Sequence, residues 1–200
     1  MKNVKQKALL RLVRSVLDNQ LSPLNFEYAK GVYYRALPSG VIHLIMIGLD
    51  ARTTETFQVL FGVNARPNRP DKEVSEMGVV QGWHLTPKGL DRSSGRWKCD
   101  TEANALESLA SISNLITAIL EPWFQAHMTL SSVAREMDTN QFGLQKAHLF
   151  LLERQVADAK QALLQYRNRL ATPKPWDDPK RLKADQDQVD ALLRDIGAIG

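Results

Sequence analysis

The chain reads as an α+β protein, with an antiparallel sheet of about four or five strands packed by an N-terminal and a central helix, followed by a C-terminal antiparallel helical hairpin. Three observations predict this. Stretches between Tyr28 and Asn64 are rich in β-branched and aromatic residues and alternate in polarity, as strands do. Glu102 to Leu120 carries apolar residues at helical spacing. After Phe142 apolar residues recur three and four apart, the rhythm of packed helices.

From Val4 to Leu21, the residues Leu9, Leu12, Val13, Val16 and Leu17 share one side of a helix, with Lys7, Arg11, Arg14 and Asp18 opposite. Pro23 ends it. The runs Tyr28 to Leu37 and Val41 to Leu49, with Pro38-Ser39-Gly40 between them, predict a β-hairpin. Its second strand is apolar on both faces, Val41, Ile45 and Ile47 against Ile42, Leu44 and Met46, which predicts a central strand covered twice. Phe57, Val59, Phe61 and Val63 alternate with Gln58 and Asn64 in a third strand, stopped by Pro67 and Pro70. Short strands follow around Val79 to Leu85 and Arg96 to Cys99. Thr101 caps the central helix, Pro122 kinks or ends it, and Trp123-Phe124 wedges its exit against the core. Thr129 opens a short helix to Met137, and Asp138-Thr139-Asn140 breaks the chain before the last long element.

In that element Leu149, Leu152, Val156, Ala159, Leu163, Tyr166 and Leu170 form a seam, which predicts continuous helix from Phe142 to Leu170. After Ala171 to Lys180, with its prolines 173, 175 and 179, a second seam of Leu182, Gln186, Val189, Leu193 and Ile196 repeats the rhythm. Asp178 before Pro179 fits an N-cap followed by proline at the first helical position. Phe150 and Leu164 stand off the seam and seek a partner. The organisation expected is an α+β domain over residues 1–126, a connecting helix and turn over 127–141, and the hairpin over 142–200.

Composition narrows the class. The 200 residues are 44% hydrophobic and 24% charged, the range of an ordinary globular chain. The first twenty residues have no continuous apolar stretch, and no later run approaches the roughly 18 apolar residues of a bilayer span. The expectation is a cytoplasmic protein without a membrane segment. One cysteine, Cys99, precludes an internal disulfide and a multi-thiolate zinc site within one chain. Residues 1–100 carry 15 Lys and Arg against 9 Asp and Glu, and residues 101–200 carry 11 against 13, so the first half is the one that attracts anions.

Several strings resemble an uncharacterised bacterial family, domain of unknown function forty-three-zero-four. They are the opening helix leading into Leu24-Asn25-Phe26, then Tyr33-Tyr34-Arg35, the strand Val41 to Met46, the strand Phe57 to Val63, and Trp97 ahead of a helix ending in Glu121-Pro122-Trp123-Phe124. The likeness covers roughly the first 125 residues. It implies an α+β fold and brings no activity, and the sequence departs from it at His43-Leu44, where a more polar strand is expected.

No constellation meets the demands of a known chemistry. His43, His84, His127 and His148 form no i, i+4 pair, and no carboxylate completes a local metal site. No glycine run follows a strand and opens a helix, which removes a nucleotide-phosphate cradle. His43 is a candidate site residue because it projects from an apolar strand beside Tyr33 or Arg35. Lys7, Arg11, Arg14, Arg35, Arg66 and Arg69 are candidate anion-binding residues, and with Trp83 and Trp97 the arginines suggest a basic, aromatic-lined face. A helix-turn-helix over Leu130 to Leu152 is disfavoured by the long break from Asp138 to Gly143 and by a second helix that spends its face on the seam.

The function expected is a non-catalytic interaction protein whose hairpin docks another protein or a second copy of itself. The residues assigned to that docking are Leu149, Phe150, Leu152, Val156, Leu163, Leu164, Tyr166, Leu170, Leu182, Val189, Leu193 and Ile196. Two alternatives stand beside it: a nucleic-acid accessory protein using the basic first half, and an enzyme of unknown class with a site near His43, Tyr34, Arg35 and Asp50. No cofactor or metal is implied.

Overall fold

A computed structural model describes residues 2–49, 55–65, 81–87, 89–91 and 95–199. The chain divides into two compact units, Met1–Met128 and Thr129–Gly200. The segment 127–141, expected as a connector, falls almost wholly within the second unit.

The first unit is the α+β body. Helix α1 (Lys2–Leu21) buries Val13, Leu17 and Leu21, each one helical turn from the next. A 3₁₀ turn at Ser22–Leu24 carries Pro23 and hands the chain to Asn25 in the left-handed region, φ 62°. Seven strands then build one antiparallel sheet: β1 (Glu27–Ala29), β2 (Val32–Ala36), β3 (Val41–Leu49), β4 (Thr56–Ala65), β5 (Gln81–Thr86), β6 (Gly89–Asp91) and β7 (Trp97–Lys98). Spatial order follows chain order from β1 to β6, and β7 pairs β4 at Thr56 and Phe57. The short strands account for the excess over the four or five expected.

The run Tyr28 to Leu37, expected as one strand, is two. Lys30 and Gly31 adopt positive φ (50° and 90°), the pair of values a two-residue type I′ turn requires, so the run folds back on itself and Tyr28 lies opposite Tyr33. Strand β3 lies between β2 and β4, and Val41 to Ile45 are buried on both faces, as its continuous apolar character requires.

Helix α2 (Glu102–Leu115) starts where the Thr101 hydroxyl accepts the Asn104 N–H at 3.1 Å. Pro122 does not end it. The ladder slips by one residue into a π turn at Ile116–Leu120, where the Glu121 N–H reaches the Ile116 carbonyl, and continues as α3 (Glu121–Gln125). Proline donates no N–H, and the wider turn takes up that interruption. It also keeps Ile112, Ile116, Leu120 and Phe124, four apart, on one buried side. An 18-residue stretch within Glu102–Gln125 has a mean hydropathy of 1.2, enough by length and composition for a membrane span; 33% of that stretch, its stripe of core residues, is buried.

The second unit is four helices, α4 (Leu130–Glu136), α5 (Thr139–Leu152), α6 (Val156–Leu170) and α7 (Pro179–Ile199). Thr129 and Ser132 cap α4 reciprocally. The continuous helix expected from Phe142 to Leu170 is interrupted. After Leu152 the chain turns through Arg154 at φ 58°, with the Gln155 and Glu153 N–H groups both donating to the Phe150 carbonyl, a left-handed C-terminal cap. Helices α5 and α6 therefore lie side by side. Gly143, near the start of α5, faces Tyr166, near the end of α6, and Lys146 and Phe150 of α5 line one cleft with Asp158, Ala162 and Gln165 of α6.

Helices α6 and α7 form the expected C-terminal hairpin. Arg167 approaches Asp190 at 4.0 Å and the Leu170 carbonyl accepts from the Gln186 side chain at 3.4 Å, so along this stretch the chain numbers run in opposite directions, and the Tyr166 hydroxyl adds a bond to Asp185 at 2.7 Å. The hairpin's first arm is thus Val156–Leu170 alone, with α5 a further antiparallel neighbour.

Candidate functional site

The interruption at Arg154 redistributes the residues assigned to docking. Leu149, Phe150, Leu163, Tyr166, Leu170, Val189 and Ile196 are buried within the chain, and Leu182 and Leu193 are half-buried. Phe150, expected to seek a partner, is 3% exposed because the turn brings α6 back over it. Leu152, Val156 and Leu164 remain exposed. Leu164 retains the off-seam character read from the sequence.

Among the described residues the most exposed large apolar side chain belongs to one that no sequence pattern singled out. Trp176, in the α6–α7 loop, is 76% exposed. Its loop is ordered. Asp177 accepts from the Arg169 guanidinium at 2.7 Å and from the Lys174 N–H at 2.8 Å, while its own N–H donates to the Lys174 carbonyl at 3.0 Å. The Arg169 and Asp177 side chains are mostly covered. The Arg169 hydrogen bond holds the Asp177 carboxyl below the usual carboxylate range, and the same contact raises Arg169 further into its cationic form. Asp178 accepts from Lys180 at 3.0 Å and so caps α7 ahead of Pro179, as expected. Lys174 lies 5.4 Å from the centre of the Trp176 ring. The indole therefore projects outward from a loop braced by these hydrogen bonds. A tryptophan flanked by Pro173, Pro175 and Pro179 was the available signal.

In the first unit His43 is fully buried. Its Nδ1 accepts from Arg35 Nη2 at 3.0 Å, which fixes the ring proton on Nε2, and Nε2–H donates to the His127 carbonyl at 2.9 Å. Arg35 also forks onto Glu121, at 3.1 and 3.3 Å, and donates to the Leu24 carbonyl at 3.0 Å. The imidazole stacks on Phe124 at 4.5 Å, and the Arg35 guanidinium lies 4.7 Å from the Phe26 ring centre. Burial pushes His43 down to about 4, so the ring is neutral. Both its nitrogens are committed and aromatic rings fill its surround. This arrangement ties β2, β3 and α3 together. Tyr34 bonds Glu27 instead of joining the cluster, and Asp50 lies outside the described residues.

Of the candidate anion-binding residues, Arg35 is committed to this cluster, Arg66 and Arg69 lie outside the described residues, and so does the side chain of Lys7. Arg11 and Arg14 are exposed on α1 and line a cleft of about 360 Å³ with Val13, Tyr28, Gly31, Tyr33 and Ile47. Trp97 offers no stacking face; it is buried and donates to the Leu85 carbonyl at 2.8 Å. Among the described residues no group of three or more His, Cys, Asp or Glu is placed to hold a metal ion.

No family model, curated protein or solved structure matches the chain.

Proposed function

We propose that the chain is a non-catalytic interaction protein whose C-terminal helical hairpin docks a protein partner or a second copy of itself, with Trp176 as the anchor. The observation that carries this reading is the outward indole on a loop held by the Arg169–Asp177 pair. Tryptophan is enriched among residues that dominate binding energy, and an anchor already fixed in place loses little entropy on docking. Leu152, Val156 and Leu164 supply further exposed apolar surface on the same unit. The committed nitrogens of His43 favour a structural part for that residue, which supports the non-catalytic side of the proposal.

Affinity capture from the source cell with the full chain and with Trp176→Ala, quantified by mass spectrometry, tests this directly. The proposal expects specific proteins, or the chain itself, to be depleted at least tenfold in the variant capture, about 1.4 kcal/mol of lost binding. Identical profiles would contradict it.

A further inference from the structure

The cleft between α1 and the β1–β2 hairpin has a composition that selects a ligand. Its lining is apolar at Val13 and Ile47, aromatic at Tyr28 and Tyr33, and cationic at Arg11 and Arg14. Gly31 is fixed by its φ of 90° in the type I′ turn, and a side chain there would meet nothing within 4 Å, so open space adjoins the hairpin turn.

The charges in the cleft are not equivalent. Arg14 pairs with Asp18 at 3.4 Å and lies 4.3 Å from the Tyr28 ring centre, and Asp18 also accepts the Tyr33 hydroxyl at 2.9 Å. Arg11 has no ion pair or hydrogen bond among the described residues. Arg11, Arg14 and Asp18 together therefore leave one positive charge. A monoanion matches that surplus.

The stacking geometry sets the rest of the ligand. Tyr28 has the Arg14 guanidinium over its ring at 4.3 Å and Tyr33 tilted beside it at 4.9 Å, so one of its faces is already covered by a cation. The Arg14 side chain is 56% exposed, and its planar guanidinium, already laid on Tyr28, is what an incoming ring can stack upon. A volume of about 360 Å³ is at the small end for ligand sites, which suits a single ring.

We propose that this cleft binds a small aromatic monocarboxylate, its ring stacked on Arg14 beside Ile47 and its carboxylate bound by Arg11. The site is independent of the hairpin and of Trp176.

Titration calorimetry of the full chain with benzoate, and with benzamide as the neutral probe of the same shape, tests this on the wild type, Arg11→Gln and Arg11→Lys. Arg11 is exposed, so neither substitution disturbs the core. The expected result is saturable binding of benzoate, weakened about tenfold by Arg11→Gln and partly kept by Arg11→Lys, with benzamide weaker than benzoate by a similar factor. Absence of saturable benzoate binding at millimolar concentration, equal binding of the two probes, or indifference to Arg11→Gln would overturn the proposal.

Discussion

Arg169 Nη2 donates to Asp177 Oδ1 at 2.7 Å across the turn that ends α6, and the same carboxylate receives the Lys174 N–H through its other oxygen. One residue thus closes the loop from both sides, and Trp176 beside it projects outward with the rest of the exposed turn. Asp177→Asn removes the charge from the first contact and exchanges an acceptor for a donor. The indole of that variant should reorient faster, read as lower time-resolved fluorescence anisotropy of Trp176.

The pH response of this loop has a definite sign. Asp177 is held below its ordinary value in the folded chain, so its contribution is present above the unfolded carboxylate range and is lost as pH falls through the depressed folded value. Order at Trp176 should therefore persist into mildly acidic solution. A fluorescence anisotropy series across that range reads it.

His43 predicts a slope in global stability. Its folded value is about 4 against 6.5 for a free imidazole, so between those limits the unfolded chain holds the extra proton and stability falls as pH falls. The loss amounts to at most about 3 kcal/mol across the window. His43→Gln keeps one donor for the His127 carbonyl and one acceptor for Arg35, and urea denaturation of this variant should lack that component of the slope.

Gly143 sits where a side-chain methyl would come closer than 3.0 Å to both Cγ and Cβ of Tyr166. Tyr166 cannot swing aside without giving up its hydrogen bond to Asp185. Gly143→Ala should therefore destabilise the second unit by about 1–3 kcal/mol, in spite of alanine's better helix propensity. The urea midpoint checks it.

These two glycine and histidine cases show what the sequence made legible. Alternation and β-branching located β3 and β4, and the apolar spacing of Ala105 to Leu120 located the central helix, because burial on one face leaves a period. The loop of prolines and the Asp178 cap placed the α6–α7 turn. The turn at Glu153–Gln155 was hidden. It contains neither glycine nor proline, its three residues are good helix formers, and Leu149, Leu152 and Val156 happen to keep the seam spacing across it. What reverses the chain is tertiary. Glu153 reaches back to accept the Leu130 and Ser131 N–H groups at 2.7 and 3.1 Å, capping α4 from a distance of more than twenty residues. The candidate site divides in the same way. Local periodicity singled out Leu164 and the α1 arginines, whereas the enclosure of Phe150 and the outward setting of Trp176 depend on contacts that no local pattern carries.

Docking through Trp176 is read most directly by fluorine NMR of the chain labelled with fluorotryptophan. Trp176→Phe assigns the resonance among the four tryptophans. On complex formation with a captured partner, or on self-association as concentration rises, the Trp176 resonance should shift and lose its solvent isotope effect while the buried Trp97 keeps its position. A complex in which Trp176 remains as solvent-exposed as in the free chain would contradict the claim.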